Sequence, residues 1–398
     1  MFDGFEDDGD VPDLNTAHTV PASAPLTSFG TPRTTFFLRG HEDVEQNLLQ
    51  RAVENRLPQA LLITGPEGVG KATLAFRLAR FLLSGRGQAA EDAGPSLFGD
   101  DPLPAVLPTT LDVPADDPAV HLITATAHPD LMVIEREVNA EKGTQKASIG
   151  AGQIRGIADL LHLRPATENG WRVIIIDDAD TMTIEAQNSL LKMLEEPPPR
   201  TLIMLIAHRQ GQLLPTIYSR VQKVRMDHIS REDCLSVLTH DGNWSQISTE
   251  MQNICIILGN RTPGQILRLL PVIQADGLSL LLDDMQKFDH NPPAHMPTLI
   301  ERAGGQQGAD MPMYTLFERL LLRMAHLATV QGHHNSRPAA NLPPVLQTMY
   351  DRLRQRQTPG SLLKTYDQLD SVFSKTRQQN LDRRASVATA LSIWRGNG

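Results

Sequence analysis

The sequence predicts an α/β domain with a mostly parallel sheet, followed by two helical regions. Short apolar runs alternate with helical patterns between residues 60 and 226, and this alternation is typical of strands joined by crossover helices. From about residue 229 onward only helical periodicity remains, as in TLFERLLLRMAHLATV. The chain has no stretch of 18 apolar residues, so we expect no membrane span.

The elements of the α/β domain follow one another in chain order. The first helix is predicted from Val44, Leu48, Leu49 and Val53, which have helical spacing. A strand, ALLIT, precedes a glycine-rich loop, and the next helix ends at Gly85. Further strands are predicted at 130–135, 173–177, 200–207 and 221–226, with helices at 153–163 and in TIEAQNSLLKMLEEPP, which Pro197 stops.

Acidic charge is concentrated in two stretches. Residues 1–30 hold six acidic residues and no Lys or Arg, and residues 84–120 hold seven acidic residues and one Arg. Each stretch contributes −6, so the rest of the chain carries +3 of the total of −9. We expect residues 1–35 to be a disordered acidic tail and residues 86–120 to be an acidic insertion rich in Pro and Gly. The mildly basic remainder is compatible with contact to a DNA backbone.

The loop GPEGVGKAT, residues 65–73, matches the phosphate-binding pattern G-x-x-x-x-G-K-[ST] except at its last position. In such a loop the glycines let backbone N–H groups surround the phosphates, the lysine reaches the outer phosphates, and the hydroxyl holds magnesium. A strand before the loop and a helix after it provide the required context. We therefore predict nucleotide-binding residues at Gly65, Gly68, Gly70, Lys71, Ala72 and Thr73. Ala72 removes the hydroxyl that would hold magnesium.

A second nucleotide-site pattern is VIIIDDAD, in which four apolar residues precede Asp177 and Asp178. The first acid at the end of such a strand helps to hold magnesium, and the next position polarises the attacking water. Both aspartates are added to the predicted nucleotide-binding residues. ATPases of this type normally carry Glu at the second position, so the shorter Asp178 would reach a water less well.

Cofactors other than nucleotide find little support in the sequence. The two cysteines, Cys234 and Cys255, lie among apolar neighbours, and we expect them to be buried free thiols. Their number excludes a zinc site made of cysteines, and no metal site is predicted. The N-terminus has no basic region followed by an apolar one, so it is not a secretory signal. We expect a cytoplasmic protein.

The stretches NSLLKMLEEPPPRTLIMLI and PTIYSRVQKVRM resemble the clamp-loader branch of AAA+ proteins. The resemblance covers about residues 40–270 and rests on the order of GHE, the phosphate loop, HPDL, GQIRGIADLL, LLKMLEEPPP and SR. In that family the arginine of an SRC motif points into the nucleotide site of the neighbouring subunit. Ser219 and Arg220 match this motif, whereas Val221 replaces the cysteine. The resemblance therefore implies that Arg220 is an arginine finger acting in trans.

The resemblance also implies an architecture and partners. The α/β part would be an AAA+ (P-loop NTPase) domain at 36–228, followed by a helical lid at 229–275 and an all-α collar at 276–398. The partners would be the delta and gamma/tau subunits of a hetero-pentameric clamp loader, with the sliding clamp and primed DNA reached through the complex. The chain would then be a subunit of the DNA polymerase III holoenzyme, a DNA-directed DNA polymerase (nucleotidyltransferase) complex. The four-cysteine zinc module of many loader subunits has no counterpart in 86–120.

Four positions depart from the active members of the family. These are Ala72 for the magnesium ligand, Asp178 for the water-polarising acid, Ala207-His208 at sensor 1 and Gly264 at sensor 2. We therefore expect weak or absent ATP binding, magnesium only together with nucleotide, and little hydrolysis by the chain itself. Two alternatives remain open: a catalytically active AAA+ ATPase, either a motor subunit of the same loader or a related DNA repair ATPase, and a pure scaffold that binds no nucleotide.

Overall fold

A computed structural model gives the chain as an α/β domain followed by nine further helices in the part of the chain that it describes. The described residues are 30–86, 107–138, 146–167, 170–208, 211–305, 312–332, 342–379 and 381–396.

All five predicted strands form one parallel sheet. They are β1 Ala60–Thr64, β2 Leu131–Ile134, β3 Arg172–Ile176, β4 Thr201–Ala207 and β5 Gln222–Arg225, in the spatial order β2-β3-β4-β1-β5. Every neighbouring pair in the sheet runs parallel. The predicted fold class is therefore confirmed, and the central strands β3, β4 and β1 lie side by side.

Successive residues of the central strands pack into two separate cores, one on each face of the sheet. Leu61 and Val173 belong to the core of the first face, and Leu62 and Ile174 belong to the core of the second face. A parallel sheet is covered on both faces. This explains why the strands appear in the sequence as continuous apolar runs instead of an alternation of apolar and polar residues.

Six helices belong to the α/β domain. They are α1 Glu42–Val53, α2 Lys71–Leu83, α3 Pro118–Thr124, α4 Ala151–His162, α5 Ile184–Glu195 and α6 Pro215–Tyr218. Helices α1 and α2 pack on the first face, and α4 and α5 pack on the second. The four predicted helices are confirmed within about two residues at each end, whereas the short α3 and α6 were not predicted.

The rest of the described chain is helical, as predicted. Its helices are α7 Arg231–Leu238, α8 Thr249–Leu258, α9 Pro263–Gln274, α10 Gly277–His290, α11 Pro292–Gly304, α12 Pro312–Gly332, α13 Pro344–Arg356, α14 Pro359–Gln379 and α15 Arg383–Trp394. They share the core of the first face. Helix α12 contacts α8 and α9 as well as α13 and α14. The chain turns between α9 and α10 at Asp276, whose φ is 56°, and the domain boundaries at 228 and 275 stay predictions.

Part of the predicted insertion is packed against the domain. Residues 87–106 lie outside the described residues, but Leu111 and Val113 are buried in the core of the first face. Helix α3 begins inside the predicted insertion, and the Asp117 side chain accepts a hydrogen bond from Ala119 N at 2.9 Å. The C-terminal end of the predicted insertion is therefore partly helical and packed against the domain, and the insertion over 86–120 stays a prediction.

The predicted tail also ends earlier than expected. Residues 1–29 lie outside the described residues. The buried guanidinium of Arg80 on α2 donates hydrogen bonds to Arg33 O at 2.8 Å and to Thr35 O at 2.7 Å. A buried cation needs such acceptors, so the chain is already part of the domain at Arg33, before the predicted boundary at 36.

Among the described helices, no single one has the length and apolar composition to cross a membrane. One bent pair, Pro263–Gln274 with Gly277–His290, meets these two criteria only when taken together. Both helices contribute residues to the core of the first face.

Candidate functional site

The predicted nucleotide-site residues meet at the carboxyl edge of the sheet. The glycine loop follows β1, the two aspartates follow β3, and His208 follows β4. Because β3, β4 and β1 are neighbours in the sheet, the segments after them lie together. This edge is where open α/β sheets bind their ligands.

The loop after β1 needs glycine for its path. The φ angles of Gly65, Gly68 and Gly70 are 151°, 79° and 111°, and residues other than glycine rarely adopt such values. A Cβ atom on Gly65 would lie 2.0 Å from the carbonyl oxygen of Met226. The loop is therefore held tightly between β1 and the end of β5.

Lys71 is directed back onto its own loop. Its Nζ donates hydrogen bonds to Gly65 O at 2.8 Å and to Pro66 O at 2.7 Å, and lies 2.8 Å from His208 Nδ1. These contacts match the three donors of an ammonium group. Only 3% of the residue is exposed, and burial lowers the pKa of Lys71 to about 8. The lysine that would reach phosphates has its hydrogen bonds inside the chain.

Asp178 is held by two basic side chains. Its carboxylate contacts His208 Nε2 at 2.6 Å and Arg136 Nη2 at 2.8 Å. Since Lys71 donates to Nδ1, His208 carries its proton on Nε2 and donates it to Asp178. Burial alone would favour the neutral acid, but the hydrogen bond from His208 and the Arg136 guanidinium lower the pKa of Asp178 to about 2. Lys71, His208, Asp178 and Arg136 thus form one connected network.

Asp177 behaves differently from its neighbour. Burial and the adjacent Asp178 carboxylate raise the pKa of Asp177 to about 6. Oxygen or nitrogen atoms of Asp177, Asp178 and His208 all lie within 4.8 Å of one another, so this group could hold a cation. A cation there would compete with the hydrogen bond that His208 donates to Asp178.

The helices of the predicted lid and collar cover the glycine loop. Gly264 N, at the start of α9, donates a hydrogen bond to Gly68 O at 2.9 Å, and a Cβ atom on Gly264 would lie 2.9 Å from Gly68 Cα. Glu67 forms an ion pair with Arg268 of α9, and its other oxygen lies 3.8 Å from Arg319 Nη2 of α12. The sensor 2 position is thus a backbone contact that closes over the loop.

Arg220 belongs to a different part of the surface. It follows α6 and is exposed. Its Nη1 donates to Thr216 O at 3.0 Å and to Ser219 Oγ at 3.3 Å, and its Nη2 donates to Glu195 Oε1 at 2.9 Å. Val221, which replaces the cysteine of the family motif, packs against the core of the second face. The guanidinium is held at the surface of the domain.

The structure brings most of the predicted nucleotide-site residues together but adds partners that sequence reasoning missed. Ala72 packs against the core of the first face, and Thr73 is half-buried. Arg136 and Glu67 were not predicted. The position of Arg136 in the sequence could have indicated it, because it follows β2, which neighbours β3, at the same edge of the sheet. Both cysteines are free and buried, as expected.

The middle of the chain is similar to subunits of bacterial DNA polymerase III. Residues 115–230 match the family model described as DNA polymerase III, delta subunit. The curated DNA polymerase III subunit delta-prime of Pseudomonas aeruginosa is 35% identical over 161 residues, which cover 40% of this chain and 40% of that protein. The corresponding subunit of Haemophilus influenzae is 39% identical over 102 residues, 26% of this chain and 29% of that protein.

A longer but weaker similarity extends to a eukaryotic protein. Human replication factor C subunit 5 is 23% identical over 266 residues, which cover 66% of this chain and 63% of that protein. The chain spans at most 40% of the length of the two bacterial relatives. The residues matched by the family model, 115–230, include β2 to β5 with Asp177, Asp178 and Arg220.

Proposed function

We propose that the chain is a non-hydrolysing subunit of a clamp loader in the clamp-loader branch of AAA+ proteins, a proposal supported by its similarity to bacterial DNA polymerase III delta-prime subunits. In this role it supports the loading of a sliding clamp onto primed DNA in the cytoplasm. It presents Arg220 across a subunit interface to the ATP of a neighbouring subunit. The partners are the delta and gamma/tau subunits of a hetero-pentamer.

The observation that carries the proposal is the contrast between Arg220 and the chain's own nucleotide site. Arg220 is exposed and held in a defined orientation by Glu195 and the backbone of α6. An arginine supplied to a neighbour's site stabilises the charge that develops on the transferred phosphoryl group, and is worth about 10³–10⁵ in rate in known systems. This function requires only that the guanidinium be correctly placed.

Two features support weak or absent nucleotide binding by the chain itself. Lys71 donates to Gly65 O and Pro66 O, and Ala72 offers no oxygen to magnesium. In this arrangement the residues do not fit a magnesium nucleotide, since the lysine and the loop face each other. Binding would have to break several of these hydrogen bonds at once.

The alternative of an active ATPase draws on the residues that are retained. The glycines of the loop, Lys71 and Asp177 are all present at the correct edge of the sheet. An active enzyme would need Lys71 to turn outward and Asp178 to leave Arg136 and His208. The two functions therefore differ in what happens when the isolated chain meets ATP.

The first experiment measures ATP binding and turnover by the purified chain. At 1 mM magnesium ATP we expect no rise in the melting temperature, because a ligand stabilises a protein only when its concentration approaches the dissociation constant. A motor subunit of the same loader serves as the positive control. Saturable binding at micromolar ATP, with turnover that Lys71→Ala abolishes, would contradict the proposal and favour the active ATPase.

The second experiment tests the proposed partners. The chain is mixed with purified delta and gamma/tau subunits, and the mixture is separated by size. We expect a stable complex that contains all of them and that hydrolyses ATP in response to clamp and primed DNA. Elution of this chain apart from the other subunits at micromolar concentration would show that it is not a subunit of that loader.

A further inference from the structure

We propose that Glu195, in the last turn of α5, is the positioning residue for the Arg220 guanidinium. The inference rests on the proposed function, in which Arg220 acts at the nucleotide site of a neighbouring subunit. Glu195 does not contact the neighbour's site. It fixes the direction in which the Arg220 side chain extends from the surface of the domain.

The geometry shows a guanidinium that is held from one side. Nη2 donates to Glu195 Oε1 at 2.9 Å, and Nη1 donates to Thr216 O at 3.0 Å and to Ser219 Oγ at 3.3 Å. The Ser219 hydroxyl in turn donates to Thr216 O at 2.9 Å. The end of α5 and the end of α6 thus hold the side chain together, and Ser219 of the SR pair belongs to the same arrangement.

The remaining donors of Arg220 are available to a second anion. A guanidinium has five N–H groups, and three of them are used in these contacts. Within the described part of the chain, Nε–H and the second Nη2–H have no partner. Nε and Nη2 form an edge that can bind two oxygens of one phosphate. Arg220 can therefore keep Glu195 and still present that edge to a neighbour.

The placement of Glu195 is not explained by the stability of the helix. A carboxylate in the last turn lies against the negative end of the helix dipole, where cations are favoured. The pair is also exposed, with 52% of the Glu195 side chain and 35% of the Arg220 side chain accessible, and exposed ion pairs contribute little to folding. Orientation of the arginine is the remaining consequence of the contact.

The contact also connects two sequence motifs that lie 25 residues apart. Helix α5 ends at Glu195, Glu196 is its C-cap residue, and Pro197 prevents the helix from continuing. This fixes Glu195 on the last turn, beside the segment that follows α6. Glu196 is exposed and makes no hydrogen bond or ion pair within the described residues, so it is a matched control from the same helix end.

The test uses the complete loader complex, assembled with Glu195→Ala, Glu195→Gln, Glu196→Ala or Arg220→Ala in this chain. We expect Glu195→Ala to lower the clamp- and DNA-stimulated kcat by about tenfold to a hundredfold, the size that misplacement of a reacting group can reach. The KM for ATP should stay within about twofold, because ATP is bound by the neighbouring subunit. Glu195→Gln should recover part of the loss, since its amide oxygen still accepts from Nη2, and Glu196→Ala should match the wild type.

A double variant separates positioning from a general structural effect. If Glu195 acts through Arg220, Glu195→Ala adds nothing to Arg220→Ala, and the double variant turns over like Arg220→Ala alone. A further loss in the double variant, or a failure of both Glu195 variants to assemble, would show a structural role and overturn the inference. A faster Glu195→Ala complex would also overturn it, because the carboxylate would then restrain the arginine.

The outcomes distinguish the inference from the function on which it rests. If Arg220→Ala slows the complex while Glu195→Ala behaves like Glu196→Ala, the inference alone is wrong and the trans-acting arginine stands. If Arg220→Ala itself has wild-type turnover, both are wrong. Three results together would support the inference: slow turnover of Glu195→Ala, partial recovery with Glu195→Gln, and a double variant that turns over like Arg220→Ala alone.

Discussion

Two regions of the α/β domain treat their cationic side chains in opposite ways. At the carboxyl edge of the sheet, the ammonium of Lys71 is buried and its three contacts lie within the chain. At the end of α6, the Arg220 guanidinium is exposed and uses three of its donors on the chain itself. Lys71 therefore uses all its hydrogen bonds within the chain, whereas Arg220 is oriented by its contacts and keeps donors for a partner.

Under the proposed function, the difference shows how an α/β domain can lack a working nucleotide site of its own and still supply an arginine to the site of a neighbour. A nucleotide site needs a cradle, a magnesium ligand and a water-polarising acid, all in one chain. Here Lys71 donates its hydrogen bonds to the loop itself, and Ala72 stands where the magnesium ligand would be. The carboxylate of Asp178 is held by His208 and Arg136. An arginine that acts in trans needs only a position at the surface, so it does not depend on the state of its own domain's loop.

The largest expected effect tests the tight packing of the loop. Gly65→Ala places a Cβ atom 2.0 Å from Met226 O, at a φ of 151°, so backbone must move to accept it. We expect a loss of about 3 kcal/mol or more in the free energy of unfolding, or a failure to fold. Denaturation in urea measures it.

Gly85→Ala is the matched control. Gly85 also has a positive φ, 76°, but a Cβ atom there meets nothing within 4 Å. It should cost only the backbone strain, about 1–2 kcal/mol. Equal effects of the two variants would mean that the glycine loop has room to relax. The glycine loop would then not be packed more tightly than the exposed region around Arg220.

A smaller effect is expected from the acidic member of the network. Asp178→Asn keeps the shape of the side chain but removes the charge that faces Arg136 and accepts from His208. We expect a loss of about 1–2 kcal/mol at neutral pH. Asp159→Asn, on the exposed side of α4, should stay within about 0.5 kcal/mol.

The same variant carries a pH dependence of known sign. The pKa of Asp178 is lowered to about 2, so its contribution is complete above the ordinary pKa and is lost as the pH falls from about 4 toward 2. The stability difference between wild type and Asp178→Asn should therefore close over that range. A difference that stays constant down to pH 2 would mean that the carboxylate is not held by charge.

The smallest expected effect on stability concerns Arg80, a second buried cation whose hydrogen bonds are made within the chain. Removal of residues 1–33 deletes the carbonyl of Arg33, which accepts from the buried Arg80 guanidinium at 2.8 Å. Removal of residues 1–29 keeps it. We expect the longer deletion to be less stable than the shorter one by about 1 kcal/mol. Equal melting curves would support the original expectation that everything before 36 is tail.

The sheet and its order along the chain were predictable because they depend on local patterns. Runs of four or more apolar residues predict β1 to β4, and the glycine loop after β1 and the aspartate pair after β3 mark where two of these strands end. Short helices were missed for the same reason. Helix α3 is seven residues long and lies in a stretch rich in proline and aspartate, so its periodicity is too brief to be recognised.

The residue identities at the candidate site were predictable, but their contacts were not. Motif spacing located Lys71, Asp177 and Asp178, and the same motifs suggested that hydrolysis had been lost. That Lys71 faces its own loop, and that Arg136 and His208 hold Asp178, depends on side-chain directions set by neighbouring strands. Glu195 and Arg220 are 25 residues apart, and only the fold brings them together.

The most direct test of the central claim compares Arg220→Ala with Lys71→Ala in complete loader complexes. Arg220→Ala should leave the stability of the chain within about 0.5 kcal/mol of wild type, as expected for an exposed residue, and should assemble normally. Its complex should lose most of the ATP hydrolysis that clamp and primed DNA stimulate. Arg220→Lys should restore little, because a point charge does not reproduce the planar guanidinium.

Lys71→Ala complexes should keep most of that stimulated hydrolysis, because Lys71 has no role at the neighbour's site. The measurement is the rate of ATP hydrolysis per assembled complex, with assembly checked by size. A slow Arg220→Ala complex beside a nearly normal Lys71→Ala complex is the result we predict. Normal turnover with Arg220→Ala and a failed Lys71→Ala complex would contradict the account, and would identify this chain as a motor that uses its own nucleotide site.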